Sequence, residues 1–116
     1  GYEIGRILNI ETIFAERVNE KFCLRRDFNI KKGQKVLIVE DVITTGKSIL
    51  ECSNLVKNKS ANIVGYACII DRSDGENKID HNVVSQVQIK IPTYKEENLP
   101  KHLEKIKPVK PGSRNI

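Results

Sequence analysis

The chain has 116 residues, of which 39% are hydrophobic and 30% charged, and its formal net charge is +5. This length fits one domain, and the composition is that of an ordinary globular protein. No apolar run approaches the roughly 18 residues that a membrane-spanning helix needs, so we predict no membrane segment. The widely spaced Cys23, Cys52 and Cys68 form no Cys-x-x-Cys pair, which argues against zinc or disulfide frameworks and favours a reducing, cytoplasmic compartment.

The first quarter of the chain predicts a helix followed by a hairpin. Residues 2–9 are amphipathic and predict the end of a helix. No N-cap residue precedes them and the chain has no methionine, so we expect a longer protein to begin before Gly1. Segments 12–17 and 22–26 predict two strands around a polar turn. We therefore expect a β-hairpin or mobile flap over about residues 12–28.

Two apolar segments around a helical pattern predict an α/β sheet. Residues 36–40 are nearly continuously apolar, as in a parallel strand buried on both faces. Residues 47–58 have a helical period, and residues 62–70 form a second apolar strand. This order predicts a parallel crossover in an α/β fold. Beyond it we predict a strand at 87–91, a short helix at 96–106 and an irregular tail.

The segment between the predicted strand 36–40 and the predicted helix carries the chemistry. Glu40 and Asp41 follow the strand, and a loop rich in Thr, Gly and Ser opens into the helix. Ligands bind at this edge of a parallel sheet, and loop amides at a helix N-terminus suit a phosphate. Carboxylates repel phosphate, so these two need another task, which ribose hydroxyls or Mg²⁺ would supply. The alternative is that Thr44, Thr45 or Ser48 merely caps the helix.

The string VLIVEDVITTGKS, residues 36–48, resembles the phosphoribosyl pyrophosphate (PRPP) motif of type I phosphoribosyltransferases. The resemblance implies a Rossmann-like core with a parallel sheet, here incomplete at its N-terminus. It implies that Glu40 and Asp41 hold the ribose hydroxyls, with Asp41 also counted as catalytic. The implied phosphate-binding residues are Val42, Ile43, Thr44, Thr45, Gly46, Lys47 and Ser48. The implied cofactor is Mg²⁺, carried mainly by PRPP, with no metal ligands of the protein's own.

Further segments resemble orotate phosphoribosyltransferases. They are GYEIGRILN with TIFAER near the start, the strand end at 69–72, IPTY at 91–94 and KPGSR at 110–114. The resemblance implies that Arg72 contacts the orotate carboxylate and that Thr44 lies near the base. A guanidinium fork does match a carboxylate with two parallel bonds. From the residues alone, Arg72 could instead form a surface ion pair with Asp71 or Asp74.

The predicted flap carries four cations, Arg17, Lys21, Arg25 and Arg26. The resemblance implies catalytic contacts from Arg17 and Lys21 to the pyrophosphate, often across a homodimer. The sequence lacks the RKxxKxH-like loop of longer family members, so a solvated charged hairpin is the alternative for both residues. His81 and His102 carry no functional signal.

The implied reaction transfers the phosphoribosyl group of PRPP to orotate, giving orotidine 5′-monophosphate and pyrophosphate in pyrimidine biosynthesis. Family members also use an N-terminal segment, so we expect this piece alone to be inactive. Two alternatives are a purine phosphoribosyltransferase and a non-catalytic regulator that senses PRPP; a third is a fragment whose parent is the enzyme. Three Phe and three Tyr, without an aromatic–basic array, argue against a nucleic-acid partner.

Overall fold

A computed structural model of the chain describes residues 1–19, 21–75, 77, 79 and 83–109. Helix α1 spans Tyr2–Leu8, as predicted, and a left-handed Asn9 ends it. Strands β1 (Ala15–Val18) and β2 (Lys21–Leu24) pair antiparallel and confirm the predicted hairpin. The predicted KPGSR segment and His81 lie outside the described residues.

A three-stranded parallel sheet forms the centre of the chain. Its strands are β3 (Lys35–Ile43), β4 (Asn62–Asp71) and β5 (Val83–Gln88), in that spatial order. Helix α2 (Lys47–Asn58) connects β3 to β4 over the residues that the helical period predicts. The α/β prediction is therefore confirmed, and the carboxyl ends of the three strands meet at one edge of the sheet.

Helix α2 covers one face of the sheet with its buried residues Ile49, Ser53 and Val56. Ser53 is polar, yet it is buried because its hydroxyl donates to the Ile49 carbonyl at 2.7 Å and lies 3.0 Å from the Tyr66 hydroxyl. Buried polar groups are stable when they are hydrogen-bonded in this way. The contact fixes α2 against β4, and with it the position of the helix N-terminus.

The prediction that strand 36–40 is buried on both faces is wrong. Ile38 is buried, but its neighbour Leu37 is 37% exposed; on the next strands Ile69 is 59% and Val84 66% exposed. Successive strand residues point to opposite faces, so these three share the face away from α2. An apolar run indicates that a face can be covered, and in the described part of the chain nothing covers this one.

Two predictions in the last third are also wrong in extent. The strand predicted at 87–91 is β5, which begins at Val83 and ends at Gln88. The helix predicted at 96–106 is only a 3₁₀ turn over Glu96–Asn98, followed by turns. Leu99 has extended backbone angles, as the residue before a proline favours, so the turn cannot continue into a helix.

The described residues contain no helix that is both long and apolar enough to cross a membrane.

Candidate active site

The candidate site lies where β3 passes into α2. The predicted strand end at residue 40 is wrong, because Val42 and Ile43 still pair with Ile70 and Asp71 of β4. Only residues 44–46 remain for the turn, and the helix begins at Lys47. Glu40 and Asp41 therefore lie within a strand, which fixes their backbone more firmly than a loop would.

Gly46 is the N-cap of α2 and has a φ of 75°. Glycine adopts this left-handed conformation without strain, and it brings no side chain to cap the helix. Thr45 Oγ1 accepts from the Lys47 amide at a long 3.4 Å. The first amides of a helix have no partner within the helix, so this turn leaves donors that an anion can bind. The ordinary Thr or Ser N-cap, considered above as the alternative, is not what begins this helix.

A shallow cleft opens at the turn and contains about 250 Å³ of space open to solvent. Its lining combines one acidic residue of β3 with the whole turn and the first residues of α2. The lining residues are Glu40, Val42, Ile43, Thr44, Thr45, Gly46, Lys47, Ser48 and Ile49. The structure thus brings together all the predicted PRPP-binding residues except Asp41.

The two acidic residues differ in position. Glu40 is half-buried and lines the cleft, whereas Asp41 is exposed and lies outside the lining. Glu40 Oε1 accepts from the Asp41 amide at 3.2 Å, and Asp41 Oδ1 accepts from the Val42 amide at 2.7 Å. Burial raises the pKa of Glu40 above its ordinary value; the hydrogen bond from the Asp41 amide lowers this pKa and the Asp41 side chain raises it, both to a smaller extent.

Arg72 follows β4 and lies beside the same sheet edge. Its amide donates to the Ile43 carbonyl at 2.9 Å, which ties it to the end of β3. Asp71 Oδ1 accepts from the Ser73 amide, and Asp74 pairs with Lys90. Neither of the two described carboxylates considered above as partners of Arg72 forms an ion pair with it.

A segment that the sequence analysis missed approaches the turn. A Cβ placed on Gly46 would lie 3.3 Å from Ile79 Cγ1 and 3.5 Å from Asn77 Cβ. Ile79 packs against the hydrophobic core. The sequence contains no signal that separates Asn77 and Ile79 from the rest of their polar loop, because the approach depends on how the loop folds back over the sheet edge.

The predicted flap cations occupy three different positions. Arg17 donates to Glu51 of α2, whose other oxygen lies 3.9 Å from Lys47 Nζ, one helical turn from the cleft. The Arg17 guanidinium also lies 4.5 Å from the centre of the Phe22 ring. Arg25 and Arg26 pair with Glu16 within the hairpin region. Lys21 is exposed at the start of β2 and is not part of the cleft lining.

Comparison with known proteins decides the family. Residues 6–105 match the model of the phosphoribosyl transferase domain. The chain belongs to the phosphoribosyl transferase domain family. Membership agrees with the resemblance drawn from residues 36–48.

Several similar members of the phosphoribosyl transferase domain family are orotate phosphoribosyltransferases. Those of Maricaulis maris and Methylorubrum populi are 39% and 47% identical to the whole of this chain. The chain spans 60% of the length of each.

Solved structures of the family share the fold. Adenine phosphoribosyltransferase from Thermoanaerobacter pseudethanolicus aligns with 77% of this chain and 62% of its own, at a TM-score of 0.61 and 18% identity. Leishmania donovani UMP synthase aligns with 76% of this chain and 20% of its own, at a TM-score of 0.60 and 22% identity. At these identities the likeness concerns the fold alone, so the adenine enzyme carries no argument about the acceptor base.

The cleft has few groups that could ligate a metal. Among the described residues, no three His, Cys, Asp or Glu side chains lie together as a metal site. Glu40 and Asp41 are adjacent carboxylates at the sheet edge. Mg²⁺ is commonly held by one or two carboxylates together with substrate oxygens and water, so this donor set fits an ion that arrives with a phosphorylated ligand.

Proposed function

We propose that this chain carries the PRPP-binding and base-binding parts of an orotate phosphoribosyltransferase. The observation that carries the proposal is the turn at residues 44–46, which presents the uncapped N-terminus of α2 beside the half-buried Glu40. The orotate phosphoribosyltransferases among the relatives support the choice of acceptor. The reaction transfers the phosphoribosyl group of PRPP to orotate and releases pyrophosphate.

The turn would bind the 5′-phosphate of PRPP. Amides of the turn and of the first turn of α2 donate to the phosphate oxygens, and the hydroxyls of Thr44, Thr45 and Ser48 add donors. Gly46 lets the phosphate approach the backbone closely. Val42 and Ile43 are the last paired residues of β3, so their pairing with β4 fixes where the turn begins. Fixing the phosphate holds the ribose for in-line attack.

The carboxylates would hold the ribose hydroxyls. Glu40 already lines the cleft, and the exposed Asp41 carboxylate lies close enough to Glu40 to raise its pKa, so a side-chain rotation would bring Asp41 to the diol. Departure of pyrophosphate builds positive charge on the ribose ring, which nearby carboxylates stabilise. Asp41 is therefore proposed as both a binding and a catalytic residue.

Thr44 and Arg72 would bind the base. Arg72 is tied to the Ile43 carbonyl, next to Thr44, and it forms no ion pair with Asp71 or Asp74. A guanidinium offers the orotate carboxylate two parallel hydrogen bonds.

Arg17 and Lys21 would neutralise the leaving pyrophosphate together with Mg²⁺, which when bound supplies positive charge to the phosphate oxygens. For this role Arg17 must exchange Glu51 for the pyrophosphate. The proposal includes a homodimer, in which the hairpin reaches a partner's site, and a cytoplasmic location. PRPP and orotate are the partners, and nucleic acid is not.

The test uses a protein of the relatives' full length that carries this chain, with pyrophosphate release as the readout. We expect release with PRPP and orotate, and none above background with adenine or hypoxanthine.

Arg72→Ala should raise KM for orotate by about 10- to 100-fold, because a charge-assisted hydrogen bond is lost, while KM for PRPP stays unchanged. Arg72→Lys keeps the charge but not the fork and should recover only part of the loss. Preference for a purine, or an Arg72→Ala variant with unchanged orotate kinetics, contradicts the proposal. The 116-residue chain alone should release no pyrophosphate.

A further inference from the structure

Two described residues of the segment after β4 approach the turn at residues 44–46, which we name the phosphate turn. These residues, Asn77 and Ile79, both lie within van der Waals reach of the space that a Gly46 side chain would occupy. We propose that Asn77 is a positioning residue that holds Ile79 against Gly46 and so fixes the conformation of the phosphate turn. This inference rests on the proposed role of the turn in binding a sugar phosphate.

A chain of hydrogen bonds sets the place of Ile79. Asp71 Oδ1, at the end of β4, accepts from the Ser73 amide at 2.9 Å. Ser73 is buried, and its hydroxyl accepts from Asn77 Nδ2 at 2.8 Å. Asn77 Oδ1 in turn accepts from the Ile79 amide at 3.2 Å. Asn77 is the link that uses both ends of its side chain, so its amide connects the sheet edge to Ile79.

Ile79 packs against the turn at Gly46 and so restricts the conformation of the turn. Its Cγ1 and Cδ1 would lie 3.3 and 3.4 Å from a Gly46 Cβ, and the side chain also packs against the core. Gly46 has the broad backbone freedom of glycine, and no side chain of its own restricts it. A fixed apolar neighbour removes alternative turn conformations. Amides that are already arranged for a phosphate bind it at a smaller entropic cost.

The experiment measures the Kd of ribose 5-phosphate for this chain at a temperature where every variant is folded by circular dichroism. Asn77→Ala should weaken binding by about tenfold, the loss expected when two hydrogen bonds that order the loop disappear. Ile79→Ala should do the same. Ile79→Val keeps Cγ1 and should bind within about threefold of the parent. Asn54→Ala, an exposed change on α2, is the matched control and should leave the Kd unchanged.

A double-mutant cycle separates positioning from general destabilisation. If Ser73 and Asn77 act through one chain of bonds, Ser73→Ala and Asn77→Ala together should weaken binding no more than Asn77→Ala alone. If Ile79→Ala fails to fold, the cycle and Ile79→Val still decide. A parent chain that does not bind ribose 5-phosphate refutes the proposed function of the turn. A parent that binds, with an Asn77→Ala variant of equal affinity, refutes the positioning role alone.

Discussion

Glu40 is half-buried and lines the cleft. Burial disfavours the ionised carboxylate, which is the form proposed to bind the ribose hydroxyls. Burial raises its pKa above the ordinary 4.5, so the folded chain holds this proton to higher pH than the unfolded chain does. The contribution of Glu40 to stability is therefore fully present below about pH 4.5 and is lost as the pH rises through the folded-state pKa. Above the folded-state pKa Glu40 is ionised, and the burial of its charge opposes folding.

Glu40→Gln should raise the midpoint of thermal unfolding at pH 7, because Gln cannot ionise. This gain should vanish near pH 4, where the Glu40 of the parent is itself protonated. The same change should weaken ribose 5-phosphate binding by about tenfold through loss of a charged acceptor for the hydroxyls. Thermal unfolding from pH 4 to pH 8 provides the measurement, with Glu104→Gln, an exposed change, as the control. A Glu40→Gln variant that is less stable than the parent at pH 7 would contradict this view of the site.

For single residues, the sequence indicated which residues surround the turn but not where β3 ends. The string of two acids, Thr, Thr, Gly and Ser predicts a ligand site wherever the strand ends. It could not show that β3 continues through Val42 and Ile43, since an apolar pair fits either a loop or a strand. That continuation keeps both acidic residues within β3, where Glu40 belongs to the cleft lining and Asp41 does not.

Strand β1 of the hairpin and helix α2 are linked by Arg17 and Glu51, whose side chains are 35% and 30% exposed. Partly exposed ion pairs contribute little, so Glu51→Gln should change the free energy of unfolding by less than about 1 kcal/mol. Loss of the link should nevertheless speed amide hydrogen exchange of β1 and β2, which otherwise reach the rest of the fold mainly through the packing of β2, including Leu24, against α2 and the core.

Exchange measured by NMR in the parent and in Glu51→Gln tests the link, with Lys57→Gln on the same helix as the control. Hairpin amides that exchange at the parental rate in Glu51→Gln would show that Arg17 does not hold the hairpin.

The elements themselves were predictable to different degrees. Helix α2 was predicted at its observed bounds because its apolar period is unambiguous. The hairpin was placed within a few residues, since polar turn residues separate two short apolar runs. The helix expected at 96–106 is not formed because Pro100 favours an extended Leu99, which interrupts the segment after the 3₁₀ turn. The loop contact between Ile79 and Gly46 has no local sequence signature and depends on tertiary packing.

The accessible surface of the whole chain is larger than that of a compact protein of the same mass. Its accessible area is 9818 Å², whereas a compact monomer of its mass exposes about 6,400 Å². Its radius of gyration is 17.0 Å, against about 13 Å for a compact domain of this length. Part of the excess is the sheet face that carries Leu37, Ile69 and Val84. Apolar strands show that this face is built to be covered, but a sequence cannot show by what.

An apolar sheet face of this kind should make the chain associate with itself in solution. We expect dye binding typical of exposed apolar surface, and an average mass by light scattering that rises with concentration. Ile69→Lys places a charge on the sheet face and should reduce both signals. Val109→Lys, at a residue 83% exposed on the C-terminal segment, is the control and should change neither. A chain that stays monomeric at all concentrations and binds no dye would contradict this prediction.

The proposed function depends on the turn between β3 and α2 binding a phosphorylated sugar with its backbone amides. The most direct measurement is an NMR titration of the ¹⁵N-labelled chain with ribose 5-phosphate, following each amide of the turn. We expect saturable chemical-shift changes of the Thr44 to Ser48 amides with a common Kd, and smaller changes at Glu40. If the signals of these amides do not shift at high ligand concentration while the chain stays folded, the proposed phosphate site is contradicted.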